Sequence, residues 1–140
     1  MANAKAFATS FKPLTDKIAA IKGKFAGTPV TASEPVFGPM ATVLGLDMHN
    51  EKFQLAVMNN AEPGATEIAA FEDELKQHKV KLMVFNSQAS DPAVTRLLNI
   101  AKTAKVAIVG VTETEPAGTA YQDWMLGQLE AIDAALAGAQ

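Results

Sequence analysis

Leu82-Met83-Val84-Phe85, followed at once by Asn86-Ser87-Gln88, is the stretch that decides the fold. A short, wholly apolar run fits a strand buried on both faces, and the abrupt change to small polar residues marks the loop that leaves it. The same reading applies to Val106–Val111, which runs toward Glu113-Thr114-Glu115-Pro116, and to Thr28–Ser33, which runs into Ser33-Glu34-Pro35. Each loop is followed by a helical pattern, so the strands are expected to be parallel and joined by right-handed crossovers. The three loops then share one edge of the sheet, at the strands' carboxyl ends. Open α/β sheets bind their ligands at that edge.

Working outward, Asp91-Pro92 supplies an N-cap and a proline at the first helical position, ahead of a helix carrying Val94, Leu97, Leu98 and Ile100. Pro35–Leu44 reads as a helix with Val36, Phe37, Met40, Val43 and Leu44 on one side. Either its first turn is irregular, or it begins near Gly38 with Pro39 in the first position. Gly45 is its expected C-cap. Phe53–Met58 alternates Phe53, Leu55 and Val57 against Gln54, Ala56 and Met58, which suits an edge strand. Glu62-Pro63-Gly64 leads into a helix with Ile68, Phe71 and Leu75 inward, ending near His78. The last helix is expected from Thr119 to Leu136, burying Tyr121, Trp124, Met125, Leu129, Ile132 and Leu136. At the start, Phe7, Phe11, Leu14, Ile18, Ile21 and Phe25 mark one helical face, which Pro13 should break or kink.

The expected fold is therefore α/β: a three-layer sandwich around a four-stranded parallel sheet of order 2-1-3-4, preceded by an N-terminal helix. Strand 28–33 sits between strands 52–58 and 80–86 in this reading, with 105–111 at the far edge. Two units follow, residues 1–27 as the helix and 28–140 as the α/β lobe.

Composition narrows the function classes. At 140 residues the chain has the length of one domain, and with 49% hydrophobic and 19% charged residues it is globular. A net charge of -3 and basic residues spread singly argue against nucleic acid as a partner. No apolar run reaches the roughly 20 residues of a membrane span, so no direct membrane insertion is expected. No secretion-signal pattern opens the chain. The absence of cysteine removes disulfides, thiolate metal sites and cysteine nucleophiles together.

The residues with chemical potential lie in the three loops. Glu34 opens the first, as a helix-terminal carboxylate or as a ligand for a cation or polar substrate. Glu113 and Glu115, two apart, either share a divalent ion, divide acid and base roles, or form a solvated turn. Asn86 and Ser87 follow the most buried strand. Ser87 has no histidine nearby in sequence and no G-x-S-x-G elbow, so it reads as a loop residue or hydrogen-bond donor. His49 and His78 are expected near the opposite ends of the strands, apart from the glutamates. No H-E-x-x-H, Walker A or G-x-G-x-x-G pattern occurs. A binder is expected rather than an enzyme.

Thr31-Ala32-Ser33-Glu34-Pro35-Val36-Phe37-Gly38 resembles the strand-to-helix segment in the C-terminal lobe of the zinc/manganese solute-binding proteins of ABC transporters. Leu44-Gly45-Leu46, Glu62-Pro63, Val84-Phe85 and Gly118-Thr119-Ala120-Tyr121, leading to Trp124-Met125 and Gln128-Leu129, follow in that family's order over residues 5–136. The resemblance implies a periplasmic metal-binding component working with an ABC transporter permease, in which two α/β lobes joined by a long helix hold the ion between them. Residues 1–27 would be the end of that helix. The lobe's usual histidine ligand falls at Glu34, the glutamate of the next loop falls at Ser87, and the last carboxylate ligand maps to Glu115, or to Glu113 in a shifted alignment. By this resemblance Glu34, Glu115 and Glu113 are the metal-ligand candidates, with Ser33, Asn86 and Ser87 in the ligand loops and a weakly bound Zn or Mn as cargo. Without a second lobe, the apolar surfaces at Phe7, Phe11, Pro35–Met40 and Pro116–Ala117 should stay uncovered and favour a homodimer by exchange of the N-terminal helix. The other reading is a stand-alone protein-interaction module on the same lobe, without tight metal binding.

Overall fold

Parallel pairing of four short strands organises the chain, in a computed structural model that describes Ala2 to Ala139; Met1 and Gln140, the outer bounds of the two expected units, lie outside the described residues. The strands are β1 (Pro29–Ala32), β2 (Asp47–His49), β3 (Leu82–Asn86) and β4 (Ala107–Val111), in the order β2-β1-β3-β4. The register sets Thr31 beside His49 on one side and Met83 on the other, while Met83 faces Ile108. The fold is the three-layer α/β sandwich expected, with the sheet order expected.

The identity of β2 differs. Phe53–Met58 is not the edge strand; it lies in helix α4 (Glu51–Met58), and the edge place is taken by the three residues Asp47–His49. Asn50 adopts the left-handed conformation, φ 63° and ψ 34°, and turns the strand directly into the helix. Asparagine tolerates that region better than most residues. Phe53 is buried and Val57 packs partly against the same core, an i, i+4 pair, whereas Leu55 and Met58 face solvent. The alternation of Phe53, Leu55 and Val57 with Gln54, Ala56 and Met58 fits a strand period and hides that helical pair. The shift also moves His49 to the carboxyl end of β2, not to the opposite edge.

Helices α2 (Lys12–Phe25), α3 (Gly38–Leu44) and α7 (Tyr121–Gly138) cover one face of the sheet, burying Leu14, Ile21, Phe25, Ala41, Leu44, Leu129, Ile132 and Leu136 against Val30, Ala32, Leu82 and Val84. Helices α4, α5 (Ala65–Lys76) and α6 (Pro92–Ala104) cover the other, around Phe53, Phe71, Leu75, Val80, Met83, Leu97 and Ala101. The alternation Val30-Thr31-Ala32 and Leu82-Met83-Val84 divides its side chains between these two cores, as the pleat requires.

Proline and glycine punctuation acts as expected with a few shifts. The N-terminal run divides at Phe11 into α1 (Ala2–Ser10) and α2, with a proline in the first turn of α2. No residue of α1 is buried; its end is tied down by Phe11 against Tyr121 and by Gln122 donating to Ser10. Pro35–Phe37 forms a tight 3-10 turn and regular helix starts at Gly38, so Ala41 rather than Val43 turns inward. Gly45, at φ 70°, ends α3 as a left-handed cap. In α7 the buried stripe begins at Leu129; Tyr121 is 45% exposed, and Trp124 and Met125 are partly buried. β4 is less buried than its apolar run suggests because it is an edge strand, and Gly110 leaves room for the Phe85 ring, which would lie 3.1 Å from an added Cβ.

Candidate metal site at the carboxyl edge

β1 and β3 are hydrogen-bonded neighbours, and their chains diverge where they leave the sheet. Ser33 N–H donates to the Val84 carbonyl (2.9 Å), and the buried Ser33 hydroxyl accepts from Asn86 N–H (3.3 Å). Glu34 precedes the 3-10 turn in extended conformation, but its carboxylate does not cap it. It instead accepts from the Asn86 side-chain amide (Nδ2–Oε2 3.3 Å). Asn86 is buried, and its other amide atom, Oδ1, accepts from Gln88 N–H at 2.9 Å. Ser33, Glu34 and Asn86 therefore meet where the chains leaving β1 and β3 part.

Ser87 turns the other way. Its N–H and hydroxyl both donate to the Val111 carbonyl, at 2.9 and 3.0 Å, so it ties the second loop to β4. Gln88, not singled out as a functional residue from sequence, continues that link: its Oε1 accepts from the N–H groups of Glu113 (2.9 Å) and Thr114 (3.1 Å). Glu113 and Glu115 are exposed, and among the described residues neither carboxylate accepts a hydrogen bond or pairs with a cation. Their loop is held through its backbone, which leaves both carboxylates free to turn. Trp124 Nε1 donates to the Thr112 hydroxyl (2.7 Å) and Gln128 Oε1 accepts from Thr112 N–H (3.2 Å), fixing the start of this loop to α7. Between them a cleft of about 130 Å³ opens, bordered by Phe37, Met40, Thr112, Glu113 and Trp124. Such hydrogen-bonding loop amides have only one sequence signal, a Gln or Asn just beyond a buried strand.

His49, at the carboxyl end of β2, is engaged among the described residues by Glu74 and Asp47 rather than by any residue of these loops. A groove of about 680 Å³ also lies away from them, between α5 and α6. Its buried acid is already matched: Lys76 and Arg96 approach Glu72 at 3.1 and 2.7 Å and, against the effect of burial, hold its carboxyl below its ordinary value. Among the described residues no three His, Cys, Asp or Glu side chains stand close enough to hold a metal together. The three loops after β1, β3 and β4 thus offer carboxylates without imidazole: one partly buried carboxylate, Glu34, oriented by an amide, and the exposed Glu113 and Glu115 on the last loop.

The model of the family described as zinc-uptake complex component A, periplasmic (ZnuA), matches residues 1–135. The chain belongs to the ZnuA family. Solved structures place the same fold in its relatives. The periplasmic zinc-binding protein TroA from Treponema pallidum superposes with a TM-score of 0.69 at 15% identity, over 94% of this chain and 50% of that one. FpvC from Pseudomonas aeruginosa, in complex with Mn²⁺, gives 0.70 at 17% identity, over 99% and 51%. The laminin-binding protein Lmb of Streptococcus agalactiae, described as an adhesin with metal-transporting activity, gives 0.70 at 19%, over 95% and 51%. This ZnuA-family chain spans about half the length of the structures it matches. A search of curated proteins found no match. No helix among the described residues is long and apolar enough to cross a membrane.

Proposed function

We propose that the chain is one lobe of a periplasmic metal-ion-binding component of an ABC transporter, taking a divalent cation of the zinc or manganese type as cargo and passing it to a permease. Residues 1–27 serve as the end of an inter-lobe helix. The supporting observation is the meeting of Glu34 with Asn86 where β1 and β3 part, in a chain of a zinc-uptake family. Glu34 is the anchoring ligand in this reading, Glu115 or Glu113 swings in from the loop after β4, Ser33 and Asn86 shape the floor, and Ser87 ties the second loop to β4. No catalytic step is assigned.

The donor chemistry favours weak binding. Carboxylates without imidazole partners suit harder ions than a histidine-rich site does, and a shell open to water on one side gains little from pre-organisation. Dissociation constants of about 10⁻⁵ to 10⁻³ M for Mn²⁺ or Zn²⁺ follow, by analogy with low-ligand oxygen sites. Calorimetric titration of the chain, beside Glu34→Ala and Glu115→Ala, tests this. Loss of the binding heat in Glu34→Ala supports the reading, whereas unchanged heat in both variants contradicts the ligand assignment.

A second reading, a protein-interaction module on the same lobe, draws on the aromatic series Phe7, Phe11, Tyr121 and Trp124, with successive ring centroids 4.8, 6.1 and 5.7 Å apart and Phe7 64% exposed. A homodimer through this face would appear in light scattering at about 10–100 μM, the range in which modest interfaces associate. A monomer at those concentrations argues against self-association.

A further inference from the structure

We propose that His49, in its protonated form, is a pH-responsive clamp that fastens edge strand β2 to helix α5 and loosens as the pH rises. Its imidazole is bracketed: Nδ1 lies 3.1 Å from Glu74 Oε1 on α5, and Nε2 lies 3.1 Å from Asp47 Oδ2, two residues back on its own strand. A neutral imidazole carries a single N–H and leaves one of these carboxylates facing a lone pair; the imidazolium donates to both. Glu74 is 24% exposed and Asp47 63%, so Glu74 is the stronger anchor and Asp47 an adjunct screened by solvent.

The surroundings turn a local ion pair into a clamp. Glu74 also accepts from Asn50 Nδ2 (2.8 Å), and the same amide group donates to Thr31 Oγ1 (3.1 Å) in the centre of β1. The His49 carbonyl accepts from Gln54 Nε2 (2.8 Å) of α4 and from Thr31 Oγ1 (3.3 Å). Two consecutive residues, His49 and Asn50, thus join β1, β2, α4 and α5 where a three-residue strand turns into a helix through a left-handed residue. Beyond its pairing with β1, such a short edge strand depends on side-chain bonds of this kind to fasten it to the helices. Of the elements packed around it, β1 (Pro29–Ala32) and α3 (Gly38–Leu44) carry no charge, α4 opens with Glu51 and Lys52, and α5 carries Glu67, Glu72, Asp73 and Lys76 besides Glu74, with Glu72 paired to Lys76 and Arg96. Among the described residues, none of these charges is bonded to the ring.

Burial alone would push the imidazole down, but the hydrogen bonds and charges of Glu74 and Asp47 together lift it above its ordinary value. The stabilisation is then complete below the value in the unfolded chain, near 6.5, and is lost as the pH rises through the higher folded value. Because α4 also packs on the 3-10 turn that follows Glu34, release would reach the first ligand loop. The clamp stands whether or not a cation binds there.

The test is nuclear magnetic resonance of the intact chain. The His49 ring carbon and proton are titrated from about pH 5 to 9, either side of the ordinary value, in the folded chain and in urea, with His78→Gln assigning the two rings. Amide protection of Met48, His49 and Asn50 is followed alongside. The clamp predicts a folded midpoint above the unfolded one and protection that falls by up to about tenfold per pH unit between them. It also predicts that Glu74→Gln lowers the midpoint and flattens the protection profile. A folded midpoint at or below the unfolded one overturns the proposal, even if Glu74→Gln fails to fold. So does protection that is unchanged across the range.

Discussion

Replacing Asn86 with aspartate exchanges an amide donor for a carboxylate with almost no change of shape, and does so 3.3 Å from a Glu34 oxygen. The attractive contact becomes a repulsive one in a place that cannot readily relax, because Asn86 is buried and its Oδ1 is held by Gln88 N–H. Two full charges at that separation would repel by about 5 kcal/mol at an effective dielectric of 20. Sharing a proton relieves part of this: holding one carboxyl protonated at pH 7 costs about 1.4 kcal/mol per pH unit above its ordinary value near 4, so about 4 kcal/mol is the ceiling. Partial solvent access at Glu34 reduces it further. A loss of about 1–4 kcal/mol at pH 7 is expected for Asn86→Asp, read from urea unfolding of variant and parent. The pH dependence is the sharper signature. The pair binds protons more readily folded than unfolded, so the deficit should shrink as the pH falls toward about 4, where both states become protonated. The double variant Glu34→Gln/Asn86→Asp should recover most of it. A loss that does not change with pH, or is not relieved by Glu34→Gln, would refute the view that these two side chains face each other.

Two other changes test the frame that carries the site. Asp91→Ala removes the acceptor of the Ala93 and Val94 N–H groups (2.8 and 3.1 Å) and should cost about 1–2 kcal/mol in chemical denaturation while leaving the cooperativity of unfolding intact. Lys17→Met should flatten the acid limb of the stability curve: the hydrogen bond and charge from Lys17, with help from Lys24 and against the effect of burial, hold the Asp133 carboxyl below its ordinary value. That contribution is present above the unfolded value near 3.9 and is lost as the pH falls through the folded one, so parent and variant should converge at low pH.

The central strand and its sheet neighbours were legible because burial on both faces leaves a continuous apolar run, as in Leu82–Val84, and because Asp91-Pro92 and Gly45 mark helix ends by backbone requirements that few other residues meet. The edge strand was not. Asp47-Met48-His49 is three residues long, mixed in polarity and held by side chains from α4 and α5 that lie elsewhere in sequence, so no local period announces it. Phe53–Met58 mimicked a strand because one i, i+4 pair also satisfies an alternation. Asn86 could be placed in the loop after a buried strand, but its contact with Glu34 joins residues 52 apart and depends on the register of β1 against β3. The role of Gln88 depends likewise on β4 lying beside β3.

Paramagnetic broadening by Mn²⁺ tests the proposed cation site most directly, because it maps the bound ion onto individual amides without requiring high affinity. Substoichiometric Mn²⁺ added to the isotope-labelled chain should broaden first the amides of Ser33, Glu34, Asn86, Ser87 and the Thr112–Glu115 loop, and Glu34→Ala should abolish the effect there. Broadening centred on any other part of the surface, or none at millimolar Mn²⁺, would contradict cation binding at the carboxyl edge of the sheet.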